Sequence, residues 1–212
     1  MAKGSSFERL ICDRLSLWWT GDADASVFWR SSNSGGRATV RSRKGKRTDH
    51  HHGDIASTDP SSAPFTELLV AECKKGYNRL TIADMLDKPK PVKGKMVKVF
   101  PKKGKAPASY QEWFRKVRVS QRATGAFSWL LIHRRDRREP VVFFSQRLRS
   151  ALNQHCKQAA FKEDQSPFLS FRMNCPEEGI FVVQAMPLED FLAAVRPDDV
   201  RELCRLKREG KL

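Results

Sequence analysis

Two carboxylates and a lysine in this chain have the types and spacing needed for phosphodiester hydrolysis. Glu72 and Lys74 end an apolar run that starts at Leu68, and Asp54 follows Gly53 in an earlier short segment. If the run forms a strand, Glu72 and Lys74 project from the same face. Two carboxylates can hold Mg²⁺, which prefers oxygen ligands. A neighbouring lysine can orient or deprotonate the attacking water, or stabilise charge on phosphorus.

The composition favours an anionic partner. The 212 residues carry a formal net charge of +16, and the sequence pI is about 10.0. This excess suits nucleic acid first and an anionic membrane surface second. No apolar stretch approaches the roughly 20 residues that span a bilayer, and no signal peptide is visible. We therefore expect a protein of the cytoplasm, or of the host cytoplasm if a phage encodes it, that binds no membrane.

The cysteines argue against a zinc site. There are five, an odd number, and they are scattered along the chain with no C-x-x-C pair. This usage predicts reduced thiols in a cytosolic protein.

Hydrophobic periodicity predicts an alternation of helices and strands. A helix is expected over 5–19, followed by strands over 27–30, at Asp54 and up to Glu72, a helix over 109–124 and a strand over 127–133. In the remaining third of the chain, the pattern predicts a strand over 141–145, a helix over 146–158, strands over 168–173 and 180–185, and helices over 187–194 and 197–207.

Four motifs occur in order along this succession of elements. They are Lys-Gly-Ser-Ser-Phe-Glu-Arg at 3–9, Arg-Ser-Ser-Asn-Ser-Gly-Gly at 30–36, Gly53-Asp54, and Glu72-Cys73-Lys74. Together they resemble the PD-(D/E)xK nuclease superfamily, and within it most closely the archaeal-type Holliday junction resolvases. Chains of those resolvases also open with a Lys-Gly-Ser…Glu-Arg helix. The resemblance covers roughly residues 3–135.

The resemblance implies an α/β fold with a restriction-endonuclease-like core. Its order is helix, three strands, helix, strand, with a mixed central sheet flanked by helices. We expect a nuclease core over 1–135 with a lysine-rich loop insertion at 88–108. Residues 136–212 would form a C-terminal α+β extension packed on the core.

The same resemblance implies a divalent-metal endonuclease that leaves 5′-phosphate and 3′-hydroxyl ends. Asp54 and Glu72 would be metal ligands, and Glu8 would complete the metal shell directly or through water. Lys74 would activate water or stabilise charge. Mg²⁺ is the expected cofactor, with Mn²⁺ able to replace it.

Several residues keep an alternative interpretation. Glu8 could serve only in a capping box with Ser5 as the N-cap. Gln121 lies on the apolar face of its helix and either forms a buried hydrogen bond or acts as a polar group of the active site. Asp59 competes with Asp54 but is typical of a turn opener. His133 ends a core strand and is interpreted as structural.

Contacts to the DNA backbone are expected from basic segments and a serine. Ser32 loosely matches a serine near the family's site, with Ser31 and Ser34 competing for that position. The basic candidates are Arg37, Arg41, Arg43, Lys44, Lys46, Arg47, Lys75, Lys102 and Lys103. The segment 88–105 holds eight lysines and no acid, so solvated disorder is the alternative to a phosphate-contacting arm. Such contacts set affinity and salt sensitivity rather than sequence choice.

The expected partner is DNA, including branched DNA, and a homodimer is left open. One rival within the nucleases is a restriction-type, nicking or single-strand-directed enzyme of phage or mobile-element origin. A rival of another class is a non-catalytic DNA-binding protein on a nuclease fold.

Overall fold

The computed structural model describes residues 3–31, 53–82, 109–156, 161, 168–175 and 178–212. The helices in these ranges are α1 (Lys3–Thr20), α2 (Ala63–Leu68), α3 (Tyr110–Thr124), α4 (Gln146–His155), α5 (Leu188–Ala194) and α6 (Pro197–Arg208). The strands are β1 (Phe28–Arg30), β2 (Ile55–Ser57), β3 (Leu69–Lys75), β4 (Ser128–Arg134), β5 (Val141–Ser145), β6 (Leu169–Cys175) and β7 (Gly179–Pro187). A short 3₁₀ helix spans Pro60–Ser62.

A five-stranded mixed sheet organises the fold in the order β3-β4-β5-β7-β6. β3 and β4 are parallel, and the other neighbouring pairs are antiparallel. β1 and β2 form a separate antiparallel ribbon. The amide of Asp54 donates to the carbonyl of Ala71 at 2.8 Å and ties the ribbon to β3. The predicted α/β class, with a mixed sheet flanked by helices, is confirmed.

Alternating side chains of the central strands feed two apolar cores, one on each face of the sheet. Leu130 and Ile132 of β4 pack in the core that contains α1. Trp129 and Leu131 point the other way, into the core that contains α3. Since both faces of β4 are covered, the strand is almost continuously apolar, as expected for a strand buried on two sides.

Helix α3 forms where the sequence predicts it. Its buried residues are Tyr110, Trp113, Phe114 and Val117, which share one face at helical spacing. The Ser109 hydroxyl accepts a hydrogen bond from the Glu112 amide at the N-cap, and Gly125 ends the helix with φ of 67°. This helix connects β3 to its parallel neighbour β4 and covers that face of the sheet.

Residues after 135 continue the same sheet through β5, β6 and β7. The helices near the C-terminus also contact the first half of the chain. Trp18 Nε1 donates to the carbonyls of Leu192 and Val195 at 2.9 and 3.0 Å. Arg208 binds the carboxylate of Glu67 at 2.7 Å.

One local prediction is wrong. Helix α1 begins at Lys3, so Ser5 lies inside the helix and is not its N-cap. The segment before β3 forms a further helix, α2, which hydrophobic periodicity did not indicate. Pro64 fits the first turn of α2 because the amide that proline lacks would have no partner within the helix there. Among the described residues, no helix has the length and apolar character needed to cross a bilayer.

Candidate active site

The strand β3 presents Glu72 and Lys74 side by side near its C-terminal end. Both lie on the face of β3 that carries Val70, which packs in the core with α3. Lys74 Nζ donates to Glu72 Oε2 at 2.8 Å. Their side chains are 20% and 18% exposed, so the pair is partly screened from solvent yet accessible to a ligand.

Asp54 is brought to the same place from the ribbon. Its Oδ2 accepts a hydrogen bond from the amide of Cys73 at 2.8 Å. The same oxygen lies 3.8 Å from Lys74 Nζ. The structure therefore joins Asp54, Glu72 and Lys74 into one cluster, as the sequence predicts.

Gly53 makes this approach of the two segments possible. Its φ is +96°, and a Cβ built on it would lie 2.7 Å from the carbonyl oxygen of Ala71. Any side chain at 53 would therefore strain the backbone and collide with β3. Only glycine lets the chain pass close enough for Asp54 to bond β3.

Ser31 fixes the Gly53-Asp54 segment from the other side. Its hydroxyl donates to the Gly53 carbonyl at 2.6 Å, and its amide donates to the Asp54 carbonyl at 2.9 Å. Ser31 is buried. Sequence comparison favoured Ser32 and kept Ser31 as a competitor; Ser32 lies outside the described residues.

Burial and a neighbouring negative charge make Asp54 a weaker acid. Burial, followed by the charge of Glu72, raises the pKa of Asp54 to about 7, against the opposing effects of Lys74 and the Cys73 amide. A divalent cation at this point would neutralise the two charges that now repel each other. The electrostatics of the pair therefore fit a cation site.

Lys74 responds in the opposite sense to its surroundings. Burial alone would lower the pKa of Lys74, but the charges of Glu72 and Asp54 outweigh burial and raise it above its ordinary value. The side chain is consequently an ammonium near neutral pH, with a hydrogen bond to Glu72 and a second acid nearby.

Glu8 lies on α1 and forms an ion pair with β1. Its Oε2 accepts a hydrogen bond from Arg30 Nε at 2.6 Å, and the Glu8 side chain is 14% exposed. Its charge contributes to the raised pKa of Asp54. Glu8 therefore bonds a residue 22 positions along the chain, which the Ser5…Glu8 spacing does not indicate.

Among the described residues, Asp54 and Glu72 are the two carboxylates whose side chains meet at Lys74. Within the described ranges, no group of three or more His, Cys, Asp or Glu side chains is arranged to bind an ion. Mg²⁺ commonly takes one or two carboxylates and completes its shell with water and substrate phosphate. The donor set of Asp54 and Glu72 fits that mode of binding.

Gln121 is not brought to this cluster. Its Nε2 donates to the carbonyls of Ala126 and Phe127 at 3.3 and 3.0 Å. These carbonyls precede β4, whereas Glu72 and Lys74 pair with later positions of that strand. Of the two interpretations of Gln121, the structure supports the hydrogen-bonding role.

Asp59 is also accounted for. Its carboxylate accepts a hydrogen bond from the amide of Ser61 at 2.8 Å and caps the 3₁₀ helix. The interpretation of Asp59 as a turn residue is confirmed.

Most of the predicted DNA-binding residues lie outside the described residues. These are Ser32, Arg37, Arg41, Arg43, Lys44, Lys46, Arg47, Lys102 and Lys103, together with the whole predicted 88–108 loop. Lys75 is described and follows Lys74 at the end of β3, where its side chain points to the opposite face.

An aspartate beside a Glu-x-Lys strand end, on a mixed sheet covered by helices, is the arrangement of the PD-(D/E)xK nucleases. The chain matches the family described as "Phage putative PDDEXK endonuclease" over residues 1–201 and belongs to that family. No curated protein and no solved structure matches the chain.

Family membership makes the chain a PD-(D/E)xK nuclease, a class that acts on DNA and generally uses divalent metal ions. The match does not single out the junction resolvases, and a phage nuclease of another kind fits it equally well. It also extends through residue 201, so most of the C-terminal third belongs to the family.

Proposed function

We propose that this protein is a Mg²⁺-dependent endodeoxyribonuclease whose active site is formed by Asp54, Glu72 and Lys74. One observation carries the proposal: Lys74 Nζ lies 2.8 Å from Glu72 and 3.8 Å from Asp54, two acids from different segments. A buried ion pair alone needs only one acid. The second acid leaves an excess negative charge that suits a cation.

In this proposal Asp54 and Glu72 hold the cation and set its place relative to the scissile phosphate. When bound, a divalent cation lowers the pKa of its water and stabilises charge on the phosphate oxygens. The hydrogen bond from the Cys73 amide fixes one oxygen of Asp54. Ser31 and Gly53 keep that segment against β3.

Lys74 stabilises negative charge and does not act as the general base. Its raised pKa supports an ammonium at neutral pH, and an ammonium has no lone pair with which to take a proton from water. The proton stays on Nζ, which is positioned by Glu72 to stabilise the developing negative charge on the phosphate.

In this proposal, the negative charge of Glu8 acts on the active site through electrostatics and not by direct binding of the metal. Its contact with Arg30 occupies one carboxylate oxygen, so a role in metal binding would be indirect, through water.

The finer proposal for the substrate is branched DNA, cut in the manner of a junction resolvase. Its support is the order of the four sequence motifs. Other phage nuclease activities, on duplex or single strands, are the competing proposal. The clustering of Asp54, Glu72 and Lys74 argues against a DNA-binding module without chemistry.

A cleavage panel tests these proposals together. Labelled four-way junction, flap, duplex and single strand would be incubated with Mg²⁺, Mn²⁺ or EDTA, for wild type and for Asp54→Ala, Glu72→Ala and Lys74→Ala. Metal-dependent cleavage that each substitution abolishes, while DNA binding is kept, is the expected result. Paired nicks in the junction alone would support a resolvase, and binding without cleavage under every condition would overturn the nuclease site.

A further inference from the structure

A second feature of the same face of the sheet lies beside the catalytic cluster. A cavity of about 370 Å³ is bordered by the start of α3, the end of β4, the start of β5 and the segment 80–82. Cavities of this size hold small organic ligands. None of the roles described above uses this cavity.

The floor of the cavity is aromatic and electrically neutral. Tyr110, His133 and Phe143 line it, and the rings of Tyr110 and Phe143 lie 5.3 Å apart. His133 Nε2 faces the Gly76 carbonyl at 3.1 Å, and because a carbonyl only accepts, Nε2 carries the proton. Nδ1 is then the acceptor for the Tyr110 hydroxyl at 2.9 Å. The polar atoms of the floor are thus paired with each other, and the floor presents ring surfaces to a ligand.

The rim of the cavity is positively charged. Arg135 and Arg138 lie at its edge and are exposed. Among the described residues that line the cavity, the only acid is Glu139, whose carboxylate lies 3.9 Å from Arg14. Burial lowers the pKa of His133, against the opposing effect of its hydrogen bond with the Gly76 carbonyl, and the charge of Arg135 lowers it as well. A ligand that suits this cavity has a flat ring and an anionic edge.

The position of the cavity relates it to the scissile phosphate. His133 is the register partner of Lys74, and Val141 on β5 is the register partner of His133. Since neighbouring strands are about 4.8 Å apart, the floor lies about 5–10 Å across the sheet from Lys74. One or two nucleotides of an extended strand span such a distance.

The turn after Lys74 leads toward the cavity with a further exposed ring. Tyr77 is 47% exposed and has φ of 56°, which is uncommon for a residue with a side chain. Its ring packs on Trp113 at 4.9 Å, and Trp113 packs on His133 at 5.1 Å. Asn78 anchors the turn through two hydrogen bonds to Asp136 at 2.7 and 2.8 Å. A chain of ring contacts therefore runs from the turn after Lys74, through the buried ring of Trp113, to His133 in the floor of the cavity.

From this geometry we infer that the cavity binds one unstacked nucleobase of the DNA substrate, next to the phosphate that is cut, while Arg135 and Arg138 hold its backbone. The inference rests on the proposed nuclease function and deepens it. It makes the substrate a DNA with an unpaired or easily unpaired nucleotide, such as a branch, flap or single strand. Stacking on aromatic side chains and an electrostatic rim are the two elements by which proteins bind unpaired bases.

The test compares the binding of two DNA duplexes that differ only in the presence of one nucleobase. Two otherwise identical duplexes carry a single unpaired thymidine or an abasic nucleotide at the same place, and binding is measured by fluorescence anisotropy in EDTA. Wild type should bind the thymidine duplex about 5- to 100-fold more tightly, the range expected for one stacked base. Val141→Trp, which fills the cavity, should remove this preference.

Two further variants keep the test decisive. Thr81→Trp narrows the cavity from an exposed position and replaces Val141→Trp if that variant fails to fold by circular dichroism. Arg172→Ala removes one exposed charge from β6, at the far edge of the sheet, and should keep the preference. Equal binding of the two duplexes by wild type, or a preference that survives in a folded cavity variant, would overturn the inference.

The nuclease proposal is judged separately in the same samples. Glu72→Ala should keep the preference for thymidine in EDTA and lose cleavage when Mg²⁺ is added. If wild type cleaves DNA but binds the thymidine and abasic duplexes equally, only the inference about the cavity is overturned. If wild type prefers the thymidine duplex but does not cleave DNA in Mg²⁺, only the nuclease proposal is overturned.

Discussion

Lys74 Nζ lies 3.8 Å from Asp54 Oδ2, although the two residues belong to segments that approach only through a glycine. This relationship distinguishes an active-site cluster from a simple pair of charges on one strand. Glu72 and Lys74 would meet in any strand, since they are two residues apart. The arrival of Asp54 requires the tertiary fold.

Substitution of Lys74 should affect chemistry more than binding. We expect Lys74→Met to lower the rate of cleavage of bound DNA about 100- to 1,000-fold, the usual effect of removing one group that stabilises charge in the transition state. Single-turnover rates at saturating enzyme measure this. Lys75→Met is the matched comparison, because Lys75 points to the other face of β3. It should weaken binding and reduce the slope of log affinity against log salt by about 1, and a Lys75 variant with the cleavage defect of Lys74→Met would contradict these roles.

Gly53→Ala should displace Asp54. Gly21 also has positive φ, +62°, but a Cβ there meets nothing within 4 Å. Gly21→Ala should therefore cost only the strain of the backbone, about 1–2 kcal/mol of unfolding free energy. Gly53→Ala adds the collision with Ala71 and should lower the cleavage rate about 100-fold, as expected for a misplaced catalytic group. Urea unfolding and cleavage assays measure the two effects, and equal behaviour of the two variants would count against the role of Gly53.

Ser31→Ala should reduce activity through the placement of Asp54. The loss of the hydroxyl that bonds Gly53 should cost about 1 kcal/mol of unfolding free energy and also lower the cleavage rate. Ser57→Ala, at the end of β2, removes the contacts of a hydroxyl with the Asp59 carbonyl at 2.7 Å and with the Ser62 hydroxyl at 2.6 Å. It should cost similar stability but keep the cleavage rate. If both variants cleave at the wild-type rate, Ser31 has no positioning role.

The raised pKa of Asp54 predicts how the stability of the metal-free protein changes with pH. In the unfolded chain this carboxyl titrates at its ordinary value of 3.8, and in the folded protein at about 7. Between these values the folded state holds a proton that the unfolded state has lost. The free energy of unfolding contributed by Asp54 therefore falls as pH rises through this window and levels off above it.

Urea unfolding in EDTA at several pH values checks this, with Asp54→Asn and the exposed Asp13→Asn side by side. Asp54→Asn should lose this part of the pH dependence and be more stable than wild type at pH 8. Asp13→Asn should keep the pH dependence of wild type. Addition of Mg²⁺ at pH 8 should stabilise wild type and not Asp54→Asn, because a ligand stabilises the state that binds it. An Asp54→Asn variant with the wild-type pH profile would refute the assignment.

Local patterns predicted the elements that depend on local spacing. The residues Tyr110, Trp113, Phe114 and Val117 repeat at helical spacing, and α3 forms there. The apolar run before Glu72 became β3 with its acid and lysine in place. In these cases burial of one face decides the structure, and the sequence carries that information directly.

Other features depend on partners that are distant in sequence. The contact of Glu8 with Arg30 could not be read from the Ser5…Glu8 spacing, which indicated a cap. Gln121 lies on the apolar face as expected. Gly125 turns the chain back after the helix, so the side-chain amide of Gln121 meets the carbonyls of Ala126 and Phe127. Short motifs could not choose among Ser31, Ser32 and Ser34, because neighbouring serines in one tract match a short pattern equally well.

The central claim is tested most directly by one single-turnover experiment. Labelled DNA is bound to wild type and to Glu72→Gln in EDTA, excess Mg²⁺ is added, and cleavage of the bound DNA is followed over time. The account predicts metal-dependent cleavage by wild type and at least about 100-fold slower cleavage by Glu72→Gln, with equal DNA binding before the metal is added. Cleavage by Glu72→Gln at the wild-type rate would contradict the assignment of this cluster as the active site.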